Sequence, residues 1–404
     1  MAELYSLPDG WEWKKLGKIA KLQNGFAFKS KLFVNDGLPI VRIKNIKNEK
    51  VLLDDVVYFN VEDYGKKLDS YQIKKNDILI AMSGATTGKI GLYDTEEISY
   101  LNQRVGLFRI ENSNLRSYLF YFLSTQIEKN LELSLGAAQP NLSTEQINNI
   151  ELPLPPFEEQ KRIVAKLDNL FAKIDKAIAL HQKNIDEANV FMASVLNDVF
   201  VELEEKYEKY RLEDLTSLIT KGTTPTTNGY KFQDSGINFL KIENIVNGEI
   251  DLSTIEMFIS EEAHQSQKRS QLEINDVLFS IAGTIGDTAI VKKEHLPMNT
   301  NQAIALIRPI EKLNSEFLRR LLSSSISNET TNKQRGGAIK NVSLGDIKEL
   351  ELPLPPLQTQ QKVVSYLDEI SNKMENIKQI QKAKMQSLKE LKASILDKAF
   401  KGEL

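Results

Sequence analysis

The sequence contains no cysteine, only three histidines, and no apolar run approaching the roughly 20 residues of a membrane span. Without cysteine there is neither a disulfide nor a thiolate zinc site. His181, His264 and His295 are too scattered to show metal-ligand spacing, so no bound metal is expected. The opening Met1-Ala-Glu-Leu-Tyr-Ser-Leu-Pro-Asp-Gly10 lacks the basic start and apolar run of a secretion signal, which predicts a cytoplasmic protein with no membrane partner. A basic excess is also missing: 52 Lys and Arg face 55 Asp and Glu, for a net charge of −3. Composition alone therefore does not suggest nucleic acid, and any such reading has to rest on local features.

What is present is a repeat. A chain of 404 residues predicts two or three domains. Residues 150–168 read IELPLPPFEEQKRIVAKLD and residues 350–368 read LELPLPPLQTQQKVVSYLD, with ten of nineteen positions identical at an offset of 200. The same offset pairs Ser194-Val-Leu-Asn-Asp-Val-Phe200 with Ser394-Ile-Leu-Asp-Lys-Ala-Phe400. Upstream the offset is 199, pairing Leu38-Pro-Ile-Val-Arg-Ile-Lys-Asn-Ile46 with Ile237-Asn-Phe-Leu-Lys-Ile-Glu-Asn-Ile245, and Asn76-Asp-Ile-Leu-Ile-Ala-Met-Ser-Gly84 with Asn275-Asp-Val-Leu-Phe-Ser-Ile-Ala-Gly283. One structural plan is written twice, as a domain followed by a long helix. The division is 1–150 and 207–350 for the domains, and 151–206 and 351–404 for a proline strut with its helix.

Within each domain, short branched runs flanked by Gly, Asn and Asp read as strands: Ile78 to Met82, Val105 to Ile110, Val277 to Ile281 and Ala303 to Ile307. Apolar residues at spacings of three and four predict helices over Asn114 to Leu133 and Ser315 to Ser327, so each domain is mixed α+β. Ser143-Thr-Glu-Gln146 fits a capping box, and Ser343-Leu-Gly-Asp346 a looser version. Leu-Pro-Leu-Pro-Pro at 152–156 and 352–356 predicts an extended strut whose last proline suits the first helical position. Its recurrence at a fixed distance from a helix argues against a generic SH3 ligand.

The long helices carry coiled-coil seams. In the second, Val363, Leu367, Ile370, Met374, Ile377, Gln381, Lys384, Leu388, Leu391 and Ile395 step by four and three. In the first, Ile163, Leu167, Leu170, Ile174, Ile178, His181, Ile185, Ala188, Met192, Val195 and Val199 do so with one stutter. His181, like Gln381 and Lys384, is read as a register-setting polar residue. Each helix, at about 45 residues, spans on the order of 65 Å. Antiparallel pairing of the two would give a pseudo-twofold arrangement with a domain at each end, a separation approaching two turns of B-DNA at about 34 Å per turn.

Taken together, the opening Leu7-Pro-Asp-Gly-Trp11 and Trp13-Lys-Lys-Leu-Gly17, the paired struts followed by Gln160-Lys-Arg-Ile-Val164 and Gln360-Gln-Lys-Val-Val364, and Ala399-Phe-Lys-Gly-Glu-Leu404 resemble the specificity subunit of Type I restriction-modification systems. The resemblance implies two target-recognition domains, each reading one half of an interrupted double-stranded DNA sequence, and helices that act as ruler and dock. It implies two modification subunits that carry S-adenosylmethionine and methylate adenine, and restriction subunits that use ATP and Mg. No cofactor is then expected on this chain. A coiled-coil scaffold with two protein-binding end domains is the alternative.

No enzyme motif stands behind a catalytic reading. Gly84-Ala-Thr-Thr-Gly-Lys89 superficially resembles a phosphate loop, yet three residues rather than four separate its glycines and Ile90 follows the lysine. It is a turn presenting side chains to DNA, or merely a tight turn. The Asn- or Asp-Pro-Pro-aromatic motif of adenine methyltransferases is absent. Candidate DNA contacts, chosen as polar residues on groove-facing loops, are Arg42, Lys44, Asn45, Thr86, Thr87, Lys89, Gln103, Arg104 and Gln139 in the first domain. In the second they are Lys241, Asn244, Thr284, Thr288, Gln302, Lys333, Arg335 and Lys340.

Overall fold

The computed structural model describes residues 5–64, 66–134, 141–323 and 342–404. By internal contacts the chain forms two compact units: one runs to His181 and takes in Lys382–Leu404, and the other is Gln182–Gln381. Each unit thus holds one α+β domain together with parts of both long helices.

In the first unit, strand Val105–Phe108 lies antiparallel between Leu22–Asn24 and Ile78–Ala81, and the sheet continues through Ile90–Leu92, Lys50–Val51 and Ile46–Lys47. Its two central strands are buried on both faces, which explains their unbroken apolar composition. Ile78, Ile80 and Phe108 face a core built with Tyr118, Leu119, Phe122 and the long helices; Leu79, Ala81, Val105 and Leu107 face a second core with Val41, Tyr93 and Leu101. A four-stranded sheet, in the order Val57–Phe59, Leu38–Val41, Ser99–Leu101, Gln72–Ile73, has a parallel central pair.

The second unit repeats this division. Strands Thr216–Lys221, Ile304–Pro309, Val277–Ser280 and Thr288–Ile290 form one sheet, and Phe258–Ile259, Ile237–Leu240 and Met298–Thr300 another. Val277, Phe279, Ala305 and Ile307 point to the helical core, and Leu278, Ala289, Ile304 and Leu306 to the other.

Four expectations change. The helix expected over Asn114 to Leu133 is two helices, Ser113–Ser124 and Ile127–Leu133. The hydroxyls of Ser124 and Thr125 donate back to the carbonyls of Tyr121 and Phe122, each at 2.7 Å, competing with the turn that would continue. In the second domain residues 315–323 are helical, and the expected end at Ser327 lies outside the described residues.

The proline struts are extended, but as paired strands. Glu151–Leu154 pairs antiparallel with Glu12–Lys15, and Glu351–Pro353 with Lys209–Arg211. Leu16 N–H donates to Ile150 O and Leu212 N–H to Leu350 O, both at 2.8 Å. In these registers Pro153 and Pro353 fall at non-hydrogen-bonded positions, where a missing N–H costs nothing. Pro156 ends up one position before the helix, its carbonyl accepting from Glu159 and Gln160. Both capping boxes are reciprocal, the looser Ser343–Asp346 version included.

The long helices are Phe157–Lys206 and Leu357–Lys401, of 50 and 45 residues. They pack antiparallel in each unit: Ile163, Leu167 and Ile174 share a core with Leu396, Ala399 and Phe400, while Phe200 and Leu203 share one with Leu367. Phe400 stands edge-on to Tyr118 and Phe122 at 5.3 and 5.4 Å. The seam of the second helix is offset from the one expected. Ile377 and Leu391 are 38% and 48% exposed and Lys384 is exposed, whereas Lys378, Met385 and Lys392 turn inward. Both frames share Met374, Gln381, Leu388 and Ile395. The choice falls to Lys392, whose ammonium lies 4.7 Å over the Phe171 ring and 3.3 Å from Asp175, its apolar stem covered.

Candidate functional site

The segments that carry the nominated residues converge in each domain. In the first, Asn102 N–H donates to Val41 O at 3.1 Å, Met82 N–H to Arg104 O at 2.9 Å, and Leu142 N–H to Met82 O at 2.8 Å. A Cβ on Gly84 would stand 3.4 Å from Ile43 Cδ1. In the second, Ile281 N–H donates to Ala303 O at 2.8 Å and Val342 N–H to Ile281 O at 3.1 Å, and a Cβ on Gly283 would stand 3.7 Å from Ile242 Cδ1. A further strand end closes on each cluster at a glycine. Any Cβ on Gly25 would meet Asn102 O at 2.0 Å, and one on Gly222 would meet Thr300 O at 2.1 Å.

Onto this shared frame the nominated side chains fall in three groups. Asn45 and Asn244 are buried, and their amides hold the turn. Asn45 Oδ1 accepts from Arg42 N–H at 2.9 Å while its Nδ2 donates to Leu52 O and Asp55 O; Asn244 accepts from Lys241 N–H at 2.9 Å and donates to Thr254 O at 2.8 Å. Thr87 and Thr288 are buried too, the first donating to Gly84 O at 2.7 Å and the second bonded to Ser323 Oγ at 3.0 Å. Asn45 and Asn244 stand at matching positions and serve the common frame, while Thr87 and Thr288 are supports particular to each copy.

Lys89, Gln103, Arg104, Thr284 and Gln302 are exposed on the loops. Among the described residues Lys89 and Arg104 form no ion pair. Gln302 accepts from the Thr224 hydroxyl. Lys44 pairs with Asp55 at 2.6 Å, and that hydrogen bond and charge hold the Asp55 carboxyl below its usual pKa. Lys241 pairs with Glu243 at 3.3 Å. Arg42 and Thr86 are half-buried. Gln139, Lys333, Arg335 and Lys340 lie outside the described residues.

The loop after Ile78–Ala81 runs through a 3-10 turn, Gly84–Thr86, into strand Ile90–Leu92. It opens no helix, so it lacks the N-terminal amides that a phosphate loop requires.

Several supporting residues were not foreseen. Asp77 and Asp276, both buried, are each gripped by an arginine of the neighbouring strand region, Arg109 and Arg308. Gln160 and Gln360 donate to the carbonyls of Pro155 and Pro355 at 2.9 and 2.8 Å, tying each helix start to its strut. Their recurrence at constant offset was the available signal. No described helix is long and apolar enough to cross a membrane.

Comparison with known proteins finds this arrangement elsewhere. The family model described as Type I restriction modification DNA specificity domain matches residues 8–188 and 204–384. The Type I restriction enzyme EcoBI specificity subunit of Escherichia coli is 29% identical, over 99% of this chain and 88% of that protein. The EcoKI specificity subunit of Escherichia coli strain K12 is 26% identical, over 98% and 90%. Among solved structures, a chain from a study of complex assembly and conformational transition in the type I R-M system superposes with a TM-score of 0.74 at 23% identity, covering 99% of this chain and all of that one. The HsdS subunit from Thermoanaerobacter tengcongensis has a TM-score of 0.53, also at 23% identity, with 99% of each chain covered.

Proposed function

The chain belongs to the family of Type I restriction modification DNA specificity domains and carries two of them, so it is a Type I specificity subunit; from that premise we propose that each domain reads one half of an interrupted DNA target. The observation that carries this reading is the doubled loop frame with unlike side chains. Lys89, whose carbonyl accepts from Ala81 N–H, corresponds to Asp287, whose carbonyl accepts from Ser280 N–H, and Arg104, whose carbonyl accepts from Met82 N–H, corresponds to Ala303, whose carbonyl accepts from Ile281 N–H. One frame with two sets of groups is what two different half-sites require, since base edges are told apart by the donors, acceptors and methyl groups they meet.

The chain itself does no chemistry on this reading. Its long helices dock two modification subunits, which bind S-adenosylmethionine and methylate adenine, and restriction subunits bring ATP and Mg to the cytoplasmic complex. Support for two docking sites comes from large apolar residues exposed at matching positions of the repeat: Phe157 and Leu357, Leu180 and Ile380, Phe191 and Leu391. Exposed apolar groups on a helix mark a covered face. Partner subunits that enclose the DNA also supply phosphate neutralisation that a chain of net charge −3 does not. The unbroken helices, at about 1.5 Å per residue, set the separation of the half-sites.

The test is to assemble the chain with its cognate modification subunits and map methylated adenines across a genome. An interrupted motif with two unrelated halves is expected; a contiguous motif, or none, overturns the reading.

A further inference from the structure

Hydrogen-bonding groups left without a partner are unevenly distributed. Among the described residues nine buried side-chain nitrogen and oxygen atoms have no partner, and four of them belong to residues on one loop of the first domain or next to residues that pack on it: Arg42 Nε, Ser83 Oγ, Thr86 Oγ1 and Asn130 Nδ2. Ser83 and Asn130 are 8% and 1% exposed. Arg42 precedes Ile43, which packs on Gly84, and the Cβ of Asn130 would lie 2.9 Å from a Cβ on Gly88. Burying such groups unpaired costs free energy, and where a fold keeps them an ordered water, an ion or a ligand group can complete them.

The second domain has finished the same place differently. Its loop is one residue shorter: Ala282 stands where Ser83 does, and Ile285, which precedes Gly286 as Thr87 precedes Gly88, packs against the apolar core. A hydroxyl at the position of Ser83 is therefore not needed to lead from the strand into the loop.

We propose that the loop at residues 83–88 with these unpaired groups is an unfinished base-reading site, completed by the edge of a DNA base when the loop shifts on binding, with Ser83 and Thr86 determining specificity in the first half-site only. The inference rests on the assignment of each domain to one half-site. The group chemistry favours a base over a phosphate. Arg42 Nε and Asn130 Nδ2 donate only, whereas the two hydroxyls donate or accept, a mixture that fits a base edge carrying both kinds of group; phosphate oxygens only accept. Pairing on binding also releases the penalty held in the free protein, which adds to discrimination between a matching and a mismatched base.

The experiment replaces Ser83→Ala and Thr86→Val, singly and together, in the full chain assembled with its modification subunits. One measurement is the thermal midpoint of the specificity chain alone; the other is methylation of a library randomised in both half-sites. The expected result is an unchanged or raised midpoint, with preference at one position of the first half-site reduced by about tenfold and the second half-site untouched. Ala282→Ser should leave the first half-site as it was. A lowered midpoint overturns the proposal, because the hydroxyls would then have internal partners, and so does an unchanged first half-site. If the unsubstituted complex shows no interrupted motif, it is the two-reader assignment that fails.

Discussion

Arg308 holds Asp276 through two hydrogen bonds, Nε to Oδ1 at 2.7 Å and Nη2 to Oδ2 at 2.9 Å, while a third reaches the same carboxylate from Glu273 N–H at 2.6 Å. Arg109 and Asp77 repeat the grip at 2.9 and 2.6 Å, with Lys74 N–H as the third donor. The carboxylate closes the turn before the central strand, and the guanidinium ties that turn to the strand beside it. Burial raises the pKa of Asp276, and the bonds from Arg308 work against that rise.

Arg308→Met removes the opposing influence, so the folded-state pKa of Asp276 climbs further above its unfolded value of about 3.9. A carboxyl whose pKa is raised on folding favours the folded state at low pH, and that contribution is lost as pH rises through the folded-state value. Stranding a buried carboxylate costs about 3–5 kcal/mol. The fall in thermal midpoint relative to the unsubstituted chain should be larger at pH 8 than at pH 5; equal falls would refute this account.

Gln360 makes three bonds, to Pro355 O, to Lys312 O and from Asn314 N–H, at 2.8, 2.9 and 2.8 Å, whereas the described bond of Gln160 is the one to Pro155 O. With a net value of about 1 kcal/mol per bond, Gln360→Leu should destabilise its unit more than Gln160→Leu does its own. Limited proteolysis of the two units would rank them, and the reverse order would count against the bonds as the cause.

Lys89 and Arg104 are exposed and form no ion pair among the described residues. Replacing either with Gln should weaken DNA binding by the assembled complex about equally across sequences and reduce the salt dependence by roughly one ion. A change in sequence preference instead would move that residue from phosphate contact to base reading.

Removing four residues from one long helix shortens it by about 6 Å. The methylated motif should keep both half-sites and change its spacer. An unaltered spacer would reject the helix as a ruler.

Much of the architecture was legible in the sequence because the repeat supplied two readings of each element. The strands around Ile78 and Val277, the onset of each long helix within one residue of Pro156 and Pro356, and the capping boxes all follow from local chemistry. Other features depend on what lies across from a residue. Periodicity alone did not separate the frame holding Leu391 from the frame holding Lys392, since a lysine stem packs on Phe171 as an apolar chain would. Nor did it tell a strut from a strand, which depended on Glu12–Lys15 lying alongside.

The site was less legible for a related reason. Asn45 and Asn244 are polar, sit in loops and match across the repeat, all of which suggested contact with DNA, yet they are buried in main-chain bonds. Identity in both copies was the warning, since a residue needed by the common frame stays the same while readers of unlike half-sites diverge. Ser83 escaped notice because its distinguishing property, a buried hydroxyl with nothing to bond, is visible only in three dimensions.

The regrouping of the chain into units has a consequence for synthesis. The unit Gln182–Gln381 is one unbroken stretch, but the other needs Lys382–Leu404, where Phe400 completes the core around Tyr118 and Phe122. On the ribosome the domain made first must wait, its apolar face open, until the domain made second has left the tunnel. A message cut short after Gln381 would therefore injure the half of the protein farthest from the break.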